Sequence, residues 1–256
     1  MNDLNGYIKR MEYSMDEKMF FVDKLDLNEY DLIVDFGCAN GDLLRKLRAH
    51  RPVGISWGFD ISAEMIKIAK ASNTDNQNFF TTDIGQIKSI LGKYKKSLVI
   101  FSSVLHEIEQ PSDRRVALEV MSLADTVVIR DMYFPHLPSY LQERIPAEVL
   151  TSIFSKTSPY MIYSFQMWHG NFEDVNRNFY HFLLKYTYVD NWETEVQEDY
   201  FSTPWEMYIS ELSKKGIYVS HDYIYTLPYK QTQVLKDFGY EMKLPTHRNL
   251  ILRRGV

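Results

Sequence analysis

The stretch Leu32-Ile33-Val34-Asp35-Phe36-Gly37-Cys38-Ala39-Asn40-Gly41-Asp42-Leu43-Leu44 constrains the fold of this chain more than any other segment. An apolar run of strand type reaches an acid, Asp35. Small residues then fall at every second position, Gly37, Ala39 and Gly41, and Leu43, Leu44 and Leu47 follow at helical spacing. A strand, a tight glycine turn and a helix in succession form a unit that cradles a nucleotide. Glycine permits the turn and close approach of a ligand to the backbone, and the helix N-terminus offers unpaired N–H groups.

The segments downstream repeat this rhythm. Ser56 to Ser62 reads as a second strand ending in an acid, Asp60, nineteen residues beyond Gly41. In doubly wound folds an acid at about 20 residues accepts hydrogen bonds from ribose hydroxyls. Asp60 or Ser62 is placed to cap a helix over Ala63–Ala71, whose Met65, Ile66 and Ala69 share one face. Asn78 to Ile84 reads as a third short strand ending in Asp83. Ser97 to Glu107 is a fourth that runs into a polar loop, and Thr126 to Asp131 is a fifth. Helix-like intervals separate them, as parallel strands require. The glycine turn lacks the Gly-x-Gly-x-x-Gly spacing of dinucleotide sites, because Gly41 follows Ala39 by two residues.

Acid-x-Gly-x-small-x-Gly after a buried strand, followed by acids at the next two strand ends, resembles class I methyltransferases that use S-adenosylmethionine. The resemblance covers residues 31–131 well and the C-terminal strands loosely. It implies an α/β fold, doubly wound around a mostly parallel seven-stranded sheet whose last strand is reversed. It also implies S-adenosylmethionine as cofactor and S-adenosylhomocysteine as product. Asp35, Gly37, Cys38, Ala39, Gly41, Asp60, Ile61, Asp83, Ile84 and Ser102 would form the cofactor site, with Asp83 accepting from the adenine amino group. Members of this family commonly fold an N-terminal segment over the cofactor, which makes Tyr7, Arg10 and Tyr13 candidates for contact there.

Four segments follow: a helical lead-in over 1–30, a cofactor-binding core over 31–131, an insertion over 132–201 and the rest of the sheet over 202–256. In the lead-in, Met11, Met15, Met19, Phe20 and Val22 recur near helical spacing. The insertion follows the fifth strand, loses the strand–helix rhythm and is crowded with aromatics, among them Tyr140, Tyr160, Tyr163, Phe165, Trp168, Phe179, Tyr180 and Trp192. It leaves the sheet at the strand edge where ligands bind in open α/β folds, which suggests a helical cap that selects a substrate. Pro204 to Leu212 reads as a helix, Ile217 to Thr226 as a strand, and His247 to Arg254 as the final strand.

Methyl transfer from a sulfonium needs alignment of nucleophile and methyl, and removal of a proton when the nucleophile requires it. The family places substrate-facing groups in the loop after the fourth strand, here Ser102-Ser103-Val104-Leu105-His106-Glu107-Ile108. This loop lacks the Asn/Asp-Pro-Pro-aromatic motif of amino-methylating members. His106 is the candidate general base, since imidazole titrates near neutrality. Glu107 is placed to orient it or to meet a substrate, and Asp131 at the end of the fifth strand faces the same cleft. No spacing assembles a metal site. His169, His181 and His221 lie among aromatics. Tyr186/Tyr188 and Tyr223/Tyr225, at period two, would each set two rings on one strand face.

A net charge of −5 gives no general attraction to nucleic acid. The short clusters Lys93-Lys95-Lys96, Lys214-Lys215 and Arg248-Arg253-Arg254 read as solvated faces. No apolar run approaches a membrane span of about 20 residues. One cysteine, Cys38, excludes an intrachain disulfide, and the expected location is cytoplasmic. A small-molecule acceptor is favoured. RNA of the tRNA type, read by stacking on aromatics, is the alternative. A module that only binds or senses S-adenosylmethionine, or an enzyme that cleaves it, would keep the same cofactor residues.

Overall fold

Strand β1 (Leu32–Phe36) is buried at every position, as an apolar strand in the middle of a parallel sheet must be. The computed structural model describes residues 14–50, 54–136, 144–172 and 177–255. Tyr7, Arg10, Met11, Tyr13 and Tyr140 lie outside those residues. The remaining strands are β2 (Ile55–Phe59), β3 (Asn78–Thr81), β4 (Ser97–Ser102), β5 (Thr126–Met132), β6 (Ile217–Tyr225) and β7 (His247–Arg254). They form one sheet in the order β3-β2-β1-β4-β5-β7-β6. Strands β1 to β5 are parallel, with Asp35 beside Gly58 on one side and Ile100 on the other. Strand β7 runs the other way: Tyr133 N–H donates to Thr246 O at one end, and Arg254 N–H to Asp125 O at the other. The doubly wound sheet with a reversed last strand stands as the sequence implied.

The helices are α1 (Asp42–His50), α2 (Ala63–Ala71), α3 (Ile84–Leu91), α4 (Pro111–Leu123), α5 (Ala147–Lys156), α6 (Pro159–His169), α7 (Arg177–Lys185), α8 (Trp205–Ser213) and α9 (Pro228–Phe238), with shorter turns between. Leu43, Leu44 and Leu47 of α1, and Met65, Ile66 and Ala69 of α2, are buried at the expected spacing. Ser62 caps α2 by accepting from Met65 N–H. One expectation fails at the third strand. Strand β3 stops at Thr81, two residues short of Asp83, and Asp83 caps α3, which begins at Ile84. Asp83 Oδ1 accepts from Gly85 and Gln86 N–H and so nucleates a helix there. The described part of the lead-in is a four-residue helical turn, Met15–Lys18, and two 3₁₀ turns.

The described residues gather into two compact units. One comprises Ser14–Asp131, Ser202–Tyr223 and the chain from Arg248; the other comprises Met132–Phe201 and Ile224–His247. The first buries Phe21, Leu27, Ile33, Leu44, Phe80, Leu98, Ile100 and Ile251 in one core, with Met19, Phe20 and Val22 packed against it. The second buries Ile153, Phe165, Phe172, Phe179, Tyr180, Phe182 and Trp192 together with Val234, Phe238 and Met242. Its aromatics pack in offset and edge-to-face geometry, Phe172 on Phe182 at 4.6 Å and Phe165 on His181 at 5.4 Å. His169 and His181 join this cluster, their ring centroids 4.3 Å apart. Tyr186 and Tyr188 are not on a strand. They follow the end of α7, and Tyr186 donates to Asp237 Oδ2.

Candidate functional site

All the parts described here belong to the first unit. The glycine turn between β1 and α1 holds Gly37, Ala39 and Gly41 at positive φ (78°, 44° and 79°). Ala39 pays a conformational penalty that glycine would not, so something must hold the turn. Asp60 does. Its Oδ2 accepts from Ala39 N–H and its Oδ1 from Ser62 N–H, both at 2.8 Å. One carboxylate therefore fixes the turn and the start of the next helix, and each oxygen keeps a further lone pair. A Cβ built on Gly41 would stand 2.5 Å from the Phe80 ring, and one on Gly37 would stand 2.5 Å from Val104 Cγ2. The second distance shows that the loop after β4 packs directly on the glycine turn.

Around the turn, the residues expected to hold a cofactor fall into three groups. Asp35 and Cys38 are buried. Burial raises the Asp35 carboxyl to about 7, with Asp60 adding to the rise and Lys18 opposing it. Burial also holds the Cys38 thiol well above its ordinary range, which makes it a packing group. Ile61 and Asp83 lie just beyond the C-terminal ends of β2 and β3 and are exposed, Ile61 to 88 %, an apolar side chain left without cover beside Asp60. Ser102, at the end of β4, is buried, and its Oγ has no hydrogen-bond partner among the described residues. Next to it Ser103 has φ 57°, a strained conformation for serine. It is held by Ser103 N–H donating to Arg130 O and by the Arg130 guanidinium donating to Ser103 Oγ.

The loop then turns through a 3₁₀ segment, Leu105–Glu107, and delivers His106 to Asp131. The Asp131 carboxylate is fully buried. Its Oδ2 accepts from the Leu105 N–H at 2.7 Å and the His106 N–H at 3.2 Å, while its Oδ1 meets His106 Nδ1 at 2.7 Å. His106 Nε2 lies 3.9 Å from Glu107 Oε1. The three residues proposed from sequence for chemistry are thus brought together. Their contact follows from the pairing of β4 with β5, which sets Ser102 beside Arg130. Ser202 Oγ donates to His106 O, and Arg114 Nε–H donates to Ile108 O, so the loop is fastened from both sides.

Two residues of this neighbourhood carry no local signal in the sequence. Lys18, on the helical turn Met15–Lys18, has its ammonium pushed down to about 8, chiefly by burial and then by Arg130. Asp35, Glu107 and Asp131 pull the other way. Tyr208 of α8 is fully buried with its hydroxyl unpartnered among the described residues. Burial and the field of Asp131 raise it to about 12, against the pull of Arg114. The reading of Arg248 as part of a solvated basic face is overturned. Its guanidinium is buried, bonded to Asp222 at 2.7 Å and Glu206 at 3.1 Å, and lies over the Trp205 ring. Among the described residues no three His, Cys, Asp or Glu side chains converge as a metal site would require. No helix among them is long and apolar enough to cross a membrane.

A sequence family described as a methyltransferase domain matches residues 34–124. By sequence none of the curated proteins matches the chain. Among solved structures, the fold is similar to a SAM-dependent methyltransferase from Anabaena variabilis. That likeness has 14 % identity and a TM-score of 0.53, over 95 % of this chain and 85 % of that one. It is also similar to PKMT2 from Rickettsia typhi in complex with AdoHcy, at 17 % identity and TM-score 0.53. There it covers 90 % of this chain and 49 % of that one. The match spans residues 34–124, about a third of the chain, and the solved structures show that the fold is shared. The residues present suit S-adenosylmethionine, the cofactor that the resemblance in sequence implies. A strained glycine turn held by Asp60, an uncovered apolar side chain beside it and an orphaned Ser102 hydroxyl can meet ribose hydroxyls, a purine face and a polar tail.

Proposed function

We propose that the chain is an enzyme that transfers the methyl group of S-adenosylmethionine to a small-molecule acceptor, with His106 as general base. Asp131 holds the imidazole, and Glu107 contacts the acceptor or the imidazolium. The observation that carries this reading is the buried Asp131 carboxylate 2.7 Å from His106 Nδ1, in a loop packed on the glycine turn. When bound, the cofactor supplies an electrophilic methyl on a sulfonium, a leaving group that needs no acid. The chain is left with alignment and with removal of the acceptor's proton. A carboxylate accepts from Nδ1–H, which fixes the tautomer with its lone pair on Nε2. Nε2 takes the proton, and the imidazolium so formed stands between Asp131 and Glu107. Asp35, the Gly37–Gly41 turn with Cys38 and Ala39, Asp60, Ile61, Asp83, Ile84 and Ser102 would hold the cofactor.

A small acceptor is favoured over a polyanion by the net charge of −5 and by the neutralisation of Arg248 by Asp222 and Glu206. The aromatic-rich stretch 132–201 is the part of the chain we assign to acceptor selection. The test is transfer from tritiated S-adenosylmethionine to a small-metabolite extract and, in parallel, to bulk tRNA. Label in the metabolite fraction, lost in His106→Asn while calorimetry gives an unchanged cofactor affinity, is the expected result. Label in tRNA alone refutes the acceptor class. Cofactor binding without transfer to either makes the chain a binding module, and methylthioadenosine among the products makes it a cofactor-cleaving enzyme.

A further inference from the structure

On one face of the sheet, Ile33, Ile100, Val128 and Ile251 share the apolar core of the first unit. Side chains alternate along a strand, so the residues two positions away lie on the same face. Toward the C-terminal ends of β1, β4 and β5 those residues are polar: Asp35 after Ile33, Ser102 after Ile100 and Arg130 after Val128. Strand β7 adds a fourth. The bonds from Tyr133 N–H to Thr246 O and from Arg254 N–H to Asp125 O set one antiparallel register, with Ile251 opposite Val128 and Asn249 opposite Arg130. Asp35, Ser102, Arg130 and Asn249 therefore form a row across four neighbouring strands, and all four are buried. Buried polar groups are nearly always paired. In this row Ser102 Oγ and Asn249 Oδ1 have no hydrogen-bond partner among the described residues.

The row extends past the residues assigned to the cofactor. Those end at Ser102 on β4, and Asn249 on β7 lies two strand spacings further, about 10 Å at roughly 4.8 Å each. A second molecule is needed to reach it, and the reaction brings one, the acceptor. Two cations define the chemistry there. The Arg130 guanidinium is fixed beside Ser102 by its bond to Ser103 Oγ. The Lys18 ammonium comes from the lead-in, and Arg130 and Asp35 are the charges that act on it most strongly. We infer, given methyl transfer to a small molecule, that the acceptor carries a carboxylate and that Lys18, Arg130 and Asn249 bind it. The carboxylate is the handle. A separate O–H or N–H of the acceptor bonds to the methyl carbon as the sulfonium bond breaks, its proton passing to His106 Nε2 and S-adenosylhomocysteine leaving. A guanidinium and a carboxamide match the planar fork of a carboxylate. A phosphate dianion suits the site less, because Asp35, Glu107 and Asp131 also act on Lys18 and leave little excess positive charge. Burial lowers the Lys18 ammonium to about 8, and an anion beside it favours the charged form again.

The test gives the full chain tritiated S-adenosylmethionine and a small-metabolite extract, then separates the labelled products by liquid chromatography and identifies them by mass spectrometry. The expected products carry a carboxyl group apart from the methylated atom. Their label should fall at least tenfold in Asn249→Leu and in Lys18→Met. Asn249→Leu should also bind S-adenosylmethionine within twofold of the parent in calorimetry. Its melting temperature should be no lower, because the change removes an amide whose Oδ1 has no partner among the described residues. A purely structural Asn249 would give a lower melting temperature, and that result counts against the site. Labelled products without a carboxyl, with phosphate as their only anionic group, or methylated on the carboxylate itself overturn the proposal and leave methyl transfer standing. Unchanged labelling in both variants does the same. Where no label moves at all, methyl transfer to a small molecule is refuted, and the pocket is tested alone. The chain is then ultrafiltered with S-adenosylhomocysteine and the extract, and the compounds it retains are identified by mass spectrometry. Carboxylic acids held by the parent and not by Asn249→Leu sustain the pocket, and none held overturns it.

Discussion

Replacing Asp131 by Asn separates two jobs that one carboxylate performs. Oδ2 holds the loop by accepting from the Leu105 and His106 N–H groups, and Oδ1 accepts from the imidazole. The carboxamide oxygen of Asn can keep the two backbone bonds. Its NH₂ then faces His106 Nδ1 as a donor and drives the ring to the tautomer protonated on Nε2, which cannot take a proton from an acceptor. The stability cost is one charge-assisted bond, about 1.5–3 kcal/mol. Asp131→Ala instead strands two buried backbone donors and the imidazole, roughly 3–9 kcal/mol at about 1–3 kcal/mol each. Turnover in Asp131→Asn should fall by about 10²–10⁴, the usual contribution of a general base, with cofactor affinity unchanged. A readout that needs no acceptor is the ¹⁵N shift pattern of the His106 ring, expected to report Nδ1–H in the parent and Nε2–H in the variant. An unchanged tautomer, or turnover within threefold of the parent, would refute the reasoning.

Asp60→Ala should weaken S-adenosylmethionine binding at least tenfold in calorimetry, because it removes the acceptor proposed for the ribose hydroxyls and frees the strained Ala39 turn. Each lost charge-assisted bond costs about 1.5–3 kcal/mol. Parent-like affinity would mean that β2 does not present the acid to the cofactor. Lys230→Met should stabilise the fold near neutral pH. Lys230 is buried among the Tyr186, Tyr188 and Tyr229 rings, and burial lowers its ammonium from 10.5 to about 7. Between those values the unfolded chain holds a proton that the folded one does not, so folding gains as pH rises. Urea unfolding of the parent should therefore gain about 2 kcal/mol on the variant between pH 7 and pH 9. Parallel pH profiles for the two proteins would show that Lys230 stays charged in the fold.

The sheet was legible because its signals are local. An apolar run, a small-residue turn and leucines at helical spacing need no distant partner to be read, and β7 runs over the residues expected of it. His106, Glu107 and Asp131 could be named because parallel strands bring their C-terminal ends together. What escaped the sequence was decided by competition or distance. Asp83 carries a side chain that satisfies two helix N–H groups at once, and this outweighs the β-type run before it. Tyr-Thr-Tyr at 186–188 alternates like a strand, but Tyr186 is drawn to Asp237, fifty-one residues on. Arg248 looked like surface charge because its partners, Asp222 and Glu206, lie twenty-six and forty-two residues away. The field on Lys18 likewise comes from Arg130, Asp35 and Asp131, none of which a window around it contains.

Tyr180 has a structural consequence for how this chain can be altered. Its hydroxyl, carried by α7, accepts from the backbone N–H of both Lys243 and Leu244. Lys230 reaches Thr187, and Tyr186 reaches Asp237, so chain segments from before α8 and after β6 are stitched into one body. The stretch 132–201 is therefore not a cassette. A graft that moved it to another sheet would leave Tyr180 without its donors, and a deletion would leave Val234, Phe238 and Met242 facing water. Recombination or engineering that respects this protein must exchange 132–201 and 224–247 as a pair, even though α8 and most of β6 separate them along the chain.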